Sequence, residues 1–121
     1  MCVAEMVYKK RDLNFLGHHC DAGSFILKSA EAATSEDWDV VFGSNVKGCG
    51  LTSKYAIKAM RAAGPGGPAA GDDASRGRPT KAIVNLGSIS SFIGQADLCT
   101  YSTTKAAILA LTRCVCNGLA G

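Results

Sequence analysis

The stretch KAIVNLGSISSFIG, residues 81–94, contains the features that decide the fold. Its first part, Ala82–Leu86, is a short run rich in β-branched residues that ends at Gly87, which predicts a buried strand. A serine-rich turn follows, and the residues after it have the pattern of a helix. An apolar strand with a helix before it and another after it is typical of an α/β fold with a parallel sheet.

Two helices are predicted around this strand. The first covers residues 35–63, with Thr34 as a favourable N-cap and Gly64-Pro65 as its end. The second begins near residue 100 and ends near residue 117. Three glycines lower the stability of the middle of the first helix unless another backbone packs closely there: Gly43, Gly48 and Gly50.

Composition places the chain among ordinary folded domains. It has 121 residues, 47% hydrophobic and 19% charged, which fits one domain and excludes a disordered chain. The net charge of +3 forms no long basic face, so nucleic acid is not the expected partner. No run reaches the length of a membrane span, and charges interrupt the N-terminal MCVAEMVYKKRDLN where a signal peptide is apolar. A cytoplasmic protein that does not bind membranes is therefore expected.

Two segments lack a regular pattern. Residues 1–19 show neither strand nor helix periodicity and are left unassigned. Residues 64–81 hold all three prolines and five glycines, which predicts a surface loop inserted between two elements of one domain spanning 1–121.

The cysteines and histidines allow two further interpretations. The six cysteines could form a disulfide framework, but no export signal supports one. A small metal-binding protein could use His18, His19 and Cys20 with the pair Cys114 and Cys116, although the spacing is not that of a zinc motif. Reduced thiols and no metal site are the favoured interpretation.

Tyr101 and Lys105 are four residues apart in the second predicted helix, so both side chains lie on one face. A phenol has a reference pKa of about 10, and an ammonium a few ångströms away favours its ionised form, which suits acid/base chemistry at neutral pH. An ordinary amphipathic helix can carry the same pair. Ser88 lies thirteen residues before Tyr101, at the carboxyl end of the predicted strand, where open α/β sheets bind ligands. Its hydroxyl could donate to a substrate carbonyl, or be satisfied within the turn.

These motifs resemble the catalytic segment of the short-chain dehydrogenase/reductase family. In that family a strand ends in a serine-bearing turn and a Y-x3-K helix follows, as in KAIVNLGSISSFIG and YSTTKAAILAL here. The upstream TSEDWDVVFGSNVKG, residues 34–48, is similar to the family's preceding helix with its catalytic asparagine. Asp21-Ala22-Gly23 resembles the end of the family's N-N-A-G motif, and the whole resemblance covers about residues 20–117. It implies part of a Rossmann-type, doubly wound parallel sheet.

The resemblance implies a role for each matching residue. Tyr101 would be the general acid/base, and Lys105 would favour its ionised form and hold the nicotinamide ribose. Ser88 would orient the substrate carbonyl, and Asn45 would help to anchor a water that connects Lys105 to solvent. Changes at the other serines of the turn are expected to be mild, since only Ser88 has the required spacing to Tyr101.

The implied cofactor is NAD or NADP, which Ala22 and Gly23 would approach through their backbones. The implied reaction passes a hydride between that cofactor and a small carbonyl or alcohol substrate, and the family commonly forms homo-oligomers. The substrate and the choice between NAD and NADP stay undecided, because the residues that decide them are absent from the sequence.

Departures from the family's pattern favour a fragment. The glycine-rich TGxxxGxG turn that seats the pyrophosphate is absent, N-N-A-G is replaced by C-D-A-G, and a C-terminal substrate loop is also lacking. The chain is therefore expected to hold the catalytic half of an oxidoreductase and to be inactive alone. The alternative is a non-catalytic form that associates with full-length relatives through helices 35–63 and 101–117.

Overall fold

A computed structural model of the chain describes residues 16–20, 23–63 and 81–119, and for 16–20 the backbone only. Two strands and three α-helices are arranged along these ranges. In chain order they are β1 (Leu16–Cys20), α1 (Ser35–Phe42), α2 (Gly48–Ala62), β2 (Lys81–Asn85) and α3 (Cys99–Leu119). The predicted loop 64–81, apart from Lys81, lies outside the described residues.

The two strands form a parallel pair, with register running from Leu16↔Lys81 to Cys20↔Asn85. β2 confirms the strand expected after the loop, shifted by one residue. β1 was not predicted, because LGHHC contains a glycine and no β-branched residue. Its strand conformation follows from pairing with β2, which satisfies its backbone groups. The carboxyl ends of both strands therefore lie at one edge of the sheet.

The first predicted helix exists but is not continuous. Thr34 is its N-cap, and its side chain and that of Asp37 form a capping box with each other's backbone N–H groups. A π-helical turn, Gly43–Lys47, separates α1 from α2. A Cβ at Gly43 or Gly50 would meet nothing within 4 Å, so close backbone packing does not explain these glycines. The third helix runs from Cys99 to Leu119, two residues beyond the end expected near residue 117.

The helices pack against one face of the strand pair. Asn85 receives a hydrogen bond from Cys49 on α2 and donates one to Thr112 on α3, so both helices cover its face. Val84 points to the opposite face and is 50% exposed. β2 is thus less buried than its sequence predicts, because no described element covers that second face. The apolar core within the described ranges comprises Val41, Cys49, Ala56, Met60 and Ile108.

Among the described helices, none combines the length and apolar character needed to cross a membrane.

Candidate active site

Tyr101 and Lys105 lie one turn apart on α3, as their spacing predicts. The Lys105 Nζ atom is 5.7 Å from the centroid of the Tyr101 ring. Lys105 is only 6% exposed, and its ammonium donates a 3.0 Å hydrogen bond to the backbone carbonyl of Leu86. Leu86 directly follows β2, so this bond places the charge of Lys105 at the carboxyl end of the strand. A buried ammonium is therefore held beside a phenol at the carboxyl edge of the strand pair, where open α/β sheets generally bind ligands.

Ser88 lies in the turn that joins β2 to α3. It is the N-cap of a short 3-10 helix, Ile89–Ser91, and its hydroxyl oxygen accepts a 3.2 Å hydrogen bond from the backbone N–H of Ser90. A serine hydroxyl that accepts one bond keeps its own proton for donation. No described residue accepts that proton, so the Ser88 hydroxyl caps the turn and still has its own proton to donate.

Ser91 connects this turn to the helix of Tyr101. Its hydroxyl accepts a 3.1 Å bond from the Ser88 backbone N–H and donates a 3.0 Å bond to the carbonyl oxygen of Lys105. A Cβ at Gly87 would lie 3.3 Å from the same hydroxyl oxygen, which explains a residue without a side chain there. From the sequence, Ser91 is expected to be an ordinary turn residue whose substitution has a mild effect. The structure instead shows it linking the backbones of two site residues.

Asn45 is fully buried in the π-helical turn between α1 and α2. Its Oδ1 accepts a 2.7 Å bond from the Ser24 backbone N–H, and its Nδ2 donates 2.9 Å bonds to the Ser24 carbonyl and to the hydroxyl of Thr104. Thr104 in turn donates to the carbonyl of Tyr101 at 2.7 Å. The Asn45 side chain thus joins the loop after β1 to the helix that carries Tyr101 and Lys105.

Thr104 is a site residue that the sequence analysis missed. It is fully buried and lies beside Lys105 in the sequence, but nothing in its local pattern separates it from other threonines of α3. Its place in the site becomes visible only through its hydrogen bond with Asn45, which is 59 residues away in the sequence.

The loop after β1 passes close to the same groups. A Cβ at Gly23 would be 3.7 Å from the Lys105 Nζ and 3.8 Å from the Asn45 Oδ1. Gly23 is therefore next to the buried ammonium, whereas Ala22 lies outside the described residues. The structure thus brings Gly23, Asn45 and Tyr101 close to Lys105, and joins the Ser88 backbone to that of Lys105 through Ser91.

No group of three or more histidine, cysteine or acidic side chains with the proximity needed for a metal occurs in the part of the chain whose side chains are described. Cys114 and Cys116 are exposed free thiols on α3. The side chains of His18 and His19 lie outside that part.

Comparison with known proteins shows the family. The short-chain dehydrogenase family matches residues 3–121, nearly the whole chain. An uncharacterized oxidoreductase of Thermotoga maritima is 37% identical over 93 residues, which cover 77% of this chain and 31% of that protein. A cyclopentanol dehydrogenase of Comamonas sp. is 28% identical over 100 residues, 83% of this chain and 34% of the relative.

A solved structure, ElxO with NADP bound, matches the fold with a TM-score of 0.62. Its sequence identity is 24%, over 78% of this chain and 33% of the other. The chain belongs to the short-chain dehydrogenase family and has its Rossmann-type fold. It spans about a third of the length of these relatives. The family match also includes most of residues 1–19, which the sequence analysis left unassigned.

Proposed function

We propose that this chain carries the catalytic residues of an NAD(P)-dependent oxidoreductase acting on a small carbonyl or alcohol substrate. The Tyr101 hydroxyl would give a proton to the carbonyl oxygen during reduction and take one from the alcohol during oxidation. The Ser88 hydroxyl, whose proton has no acceptor among the described residues, would donate a hydrogen bond to the same oxygen. A bound nicotinamide cofactor supplies or accepts the hydride.

The position of Lys105 carries this proposal. A charged side chain that is 94% buried normally has an opposite charge beside it, yet the described partner of this ammonium is a single backbone carbonyl. An ammonium has three protons to donate, and one is used by Leu86. Its remaining donors are available to a hydroxyl-bearing ligand, and its charge lies 5.7 Å from the centre of the Tyr101 ring. A buried cation beside a tyrosine, with donors left for a ligand, supports the proposal.

The residues near Lys105 fit a nicotinamide cofactor. Gly23 leaves open the space that a Cβ would fill between its own backbone and the Lys105 and Asn45 side chains. Lys105 would hold the ribose hydroxyls there, and the backbone of Ala22 and Gly23 would border the cofactor. Asn45 would keep this loop in place through Ser24, in addition to the water-anchoring role that the family resemblance implies.

We infer that the 121 residues form one part of a doubly wound sheet and bind nicotinamide cofactors weakly alone. The sequence has no TGxxxGxG turn, whose backbone N–H groups would hold the pyrophosphate. Activity is therefore best tested in a chimera. In it, the part of this chain that matches the Thermotoga maritima relative, over 93 aligned residues, replaces the corresponding segment of that relative.

Isotope transfer tests the proposed reaction directly. The chimera would be incubated with cyclopentanone and with NADH or NADPH in which deuterium replaces both hydrogens at C4 of the nicotinamide. Cyclopentanone is chosen because a relative is named as a cyclopentanol dehydrogenase. Hydride transfer places one deuterium on the carbinol carbon of the product, which mass spectrometry detects. Product without deuterium from either cofactor would contradict the proposal.

A second function, association through helices without catalysis, is favoured by one observation. Val40, Leu51 and Tyr55 on α1 and α2 are large side chains that are 58%, 45% and 60% exposed. These side chains could pack against the same helices of another copy or of a longer relative. Sedimentation of the chain and of Leu51→Glu tests this: a dimer lost on substitution supports association, and a monomer at all concentrations contradicts it.

A further inference from the structure

An exposed aromatic side chain contacts the candidate catalytic tyrosine. Phe25, in the loop after β1, has its ring centroid 6.1 Å from that of Tyr101, with the ring planes at 73°. This is an edge-to-face contact of favourable geometry. Phe25 is nevertheless 62% exposed, so it contacts Tyr101 and still presents apolar surface to solvent.

The loop that carries Phe25 is fixed on both sides. Before Phe25, both backbone groups of Ser24 are bonded to the buried Asn45 side chain. After it, the Lys28 backbone N–H donates a 2.8 Å bond to the carbonyl of Asp97. The short segment between Ser24 and Lys28 is therefore held at both ends. The Phe25 ring is exposed, but its backbone has a fixed position.

The Lys28 side chain adds a third attachment. Its Nζ lies 2.6 Å from a carboxylate oxygen of Asp37 at the start of α1, and Lys28 also pairs with Leu98 in a parallel bridge. Leu98 immediately precedes α3, the helix of Tyr101. The loop of Phe25 and the start of that helix are therefore held together.

The described loop segments nearest Phe25 and Ser88 carry no charged side chain, and Asp97 follows directly after the second of them. Residues 23–27 and 86–96 contain no acidic, basic or histidine side chain. Of the nearest cations, Lys28 is paired with Asp37 and Lys105 is buried beside Tyr101. Large apolar side chains are exposed after Ser88 instead, namely Ile89, Phe92 and Ile93. These segments present apolar side chains and no cation of their own to a carboxylate or phosphate.

We propose that Phe25 is a specificity-determining residue, which packs against a flat, uncharged aryl or cyclic group attached to the substrate carbonyl. The inference rests on the proposed function, because it takes Tyr101 as the group that meets the carbonyl oxygen. A ring held next to that oxygen would lie against the exposed face of Phe25. The preferred substrates are thus neutral ring-bearing ketones and their secondary alcohols.

Ligand binding to the 121-residue chain tests this without requiring turnover. Saturation-transfer NMR would measure the Kd of acetophenone, of 4-acetylbenzoate, which adds a carboxylate, and of acetone, which lacks the ring. A ligand as small as acetophenone binds in the range of about 1–10 mM. The variants are Phe25→Ala and Phe25→Leu. The control is Tyr55→Ala, which removes another aromatic ring of similar exposure on α2.

We expect acetophenone to bind better than either analogue. Phe25→Ala should weaken its binding about five- to tenfold, with a smaller loss in Phe25→Leu and no change in Tyr55→Ala. Tyr101→Phe should keep most of the affinity, because it retains the ring that Phe25 contacts. Circular dichroism confirms that each variant is folded.

Three results would overturn the inference: no acetophenone binding, equal affinity in both Phe25 variants and the wild type, or tighter binding of 4-acetylbenzoate. Failure of the proposed function is seen separately, as absent deuterium transfer in the chimera. Phe25-dependent binding could survive that failure.

Discussion

Ser91 donates a hydrogen bond of 3.0 Å to the backbone carbonyl of Lys105, and through the same hydroxyl accepts one from the Ser88 backbone N–H. One side chain thus fixes the distance between the turn that bears Ser88 and the helix that bears Tyr101. Ser91 is a positioning residue by this geometry, since its hydroxyl bonds to backbone atoms of the site.

Ser91→Ala in the chimera should lower kcat about ten- to hundredfold, because small displacements of reacting groups are costly. Cofactor Kd should change little, since Lys105 keeps its bond to Leu86. Ser91→Thr, which retains the hydroxyl, should restore most of the rate. Thr103→Ala is the matched control, as it removes only a bond within α3. Equal kcat in Ser91→Ala and Thr103→Ala would contradict the positioning role.

Asn45 is expected to stabilise the fold as well as the site. Asn45→Ala would leave both backbone groups of Ser24 and the hydroxyl of Thr104 without this partner. We expect the free energy of unfolding to fall by about 2–3 kcal/mol, the usual cost of unpaired buried polar groups. Urea unfolding followed by Trp38 fluorescence measures it.

Lys47→Ala, at an exposed position of the same turn, should cost less than about 0.5 kcal/mol. Hydrogen exchange at the Ser24 amide should accelerate in Asn45→Ala alone. An unchanged exchange rate there would show that Asn45 does not hold the loop.

The ion pair of Lys28 and Asp37 predicts a pH dependence. The hydrogen bond from Lys28, followed by that from the Thr34 backbone, holds the pKa of the Asp37 carboxyl below its ordinary value of 3.8. A group whose pKa is lowered by folding stabilises the chain fully above the unfolded value, and this contribution is lost as the pH falls through the folded value.

Asp37→Asn should therefore lower the urea midpoint at pH 7, and the difference from wild type should shrink when both are measured near pH 3. Asp39→Asn, an exposed position on the same helix, is the control and should show a smaller difference at pH 7. A difference for Asp37→Asn that stays constant between the two pH values would contradict the assignment.

Local sequence patterns were sufficient to predict the elements on which several candidate site residues lie. Ser88, Tyr101 and Lys105 follow from a strand, a turn and a helix in consecutive order, and the capped start of α1 follows from Thr34. Each depends on neighbours in the chain, which a sequence displays directly.

The features that were missed depend on contacts between distant segments. β1 has little intrinsic strand preference and is stabilised by pairing with β2. Ser91 and Thr104 resemble any hydroxyl residue of a turn or helix until their partners are known. Phe25 likewise looks like an ordinary loop residue, and only the fold places its ring against Tyr101.

The turnover of Tyr101→Phe in the chimera, measured together with its cofactor Kd, tests directly whether Tyr101 is the proton donor. The substitution keeps the ring, and with it the contact to Phe25, but removes the proton that the carbonyl oxygen needs. If Tyr101 supplies the proton, kcat falls at least about a hundredfold while the cofactor Kd stays within about twofold. A kcat close to that of the unsubstituted chimera would contradict the account, because another group would then have to supply the proton.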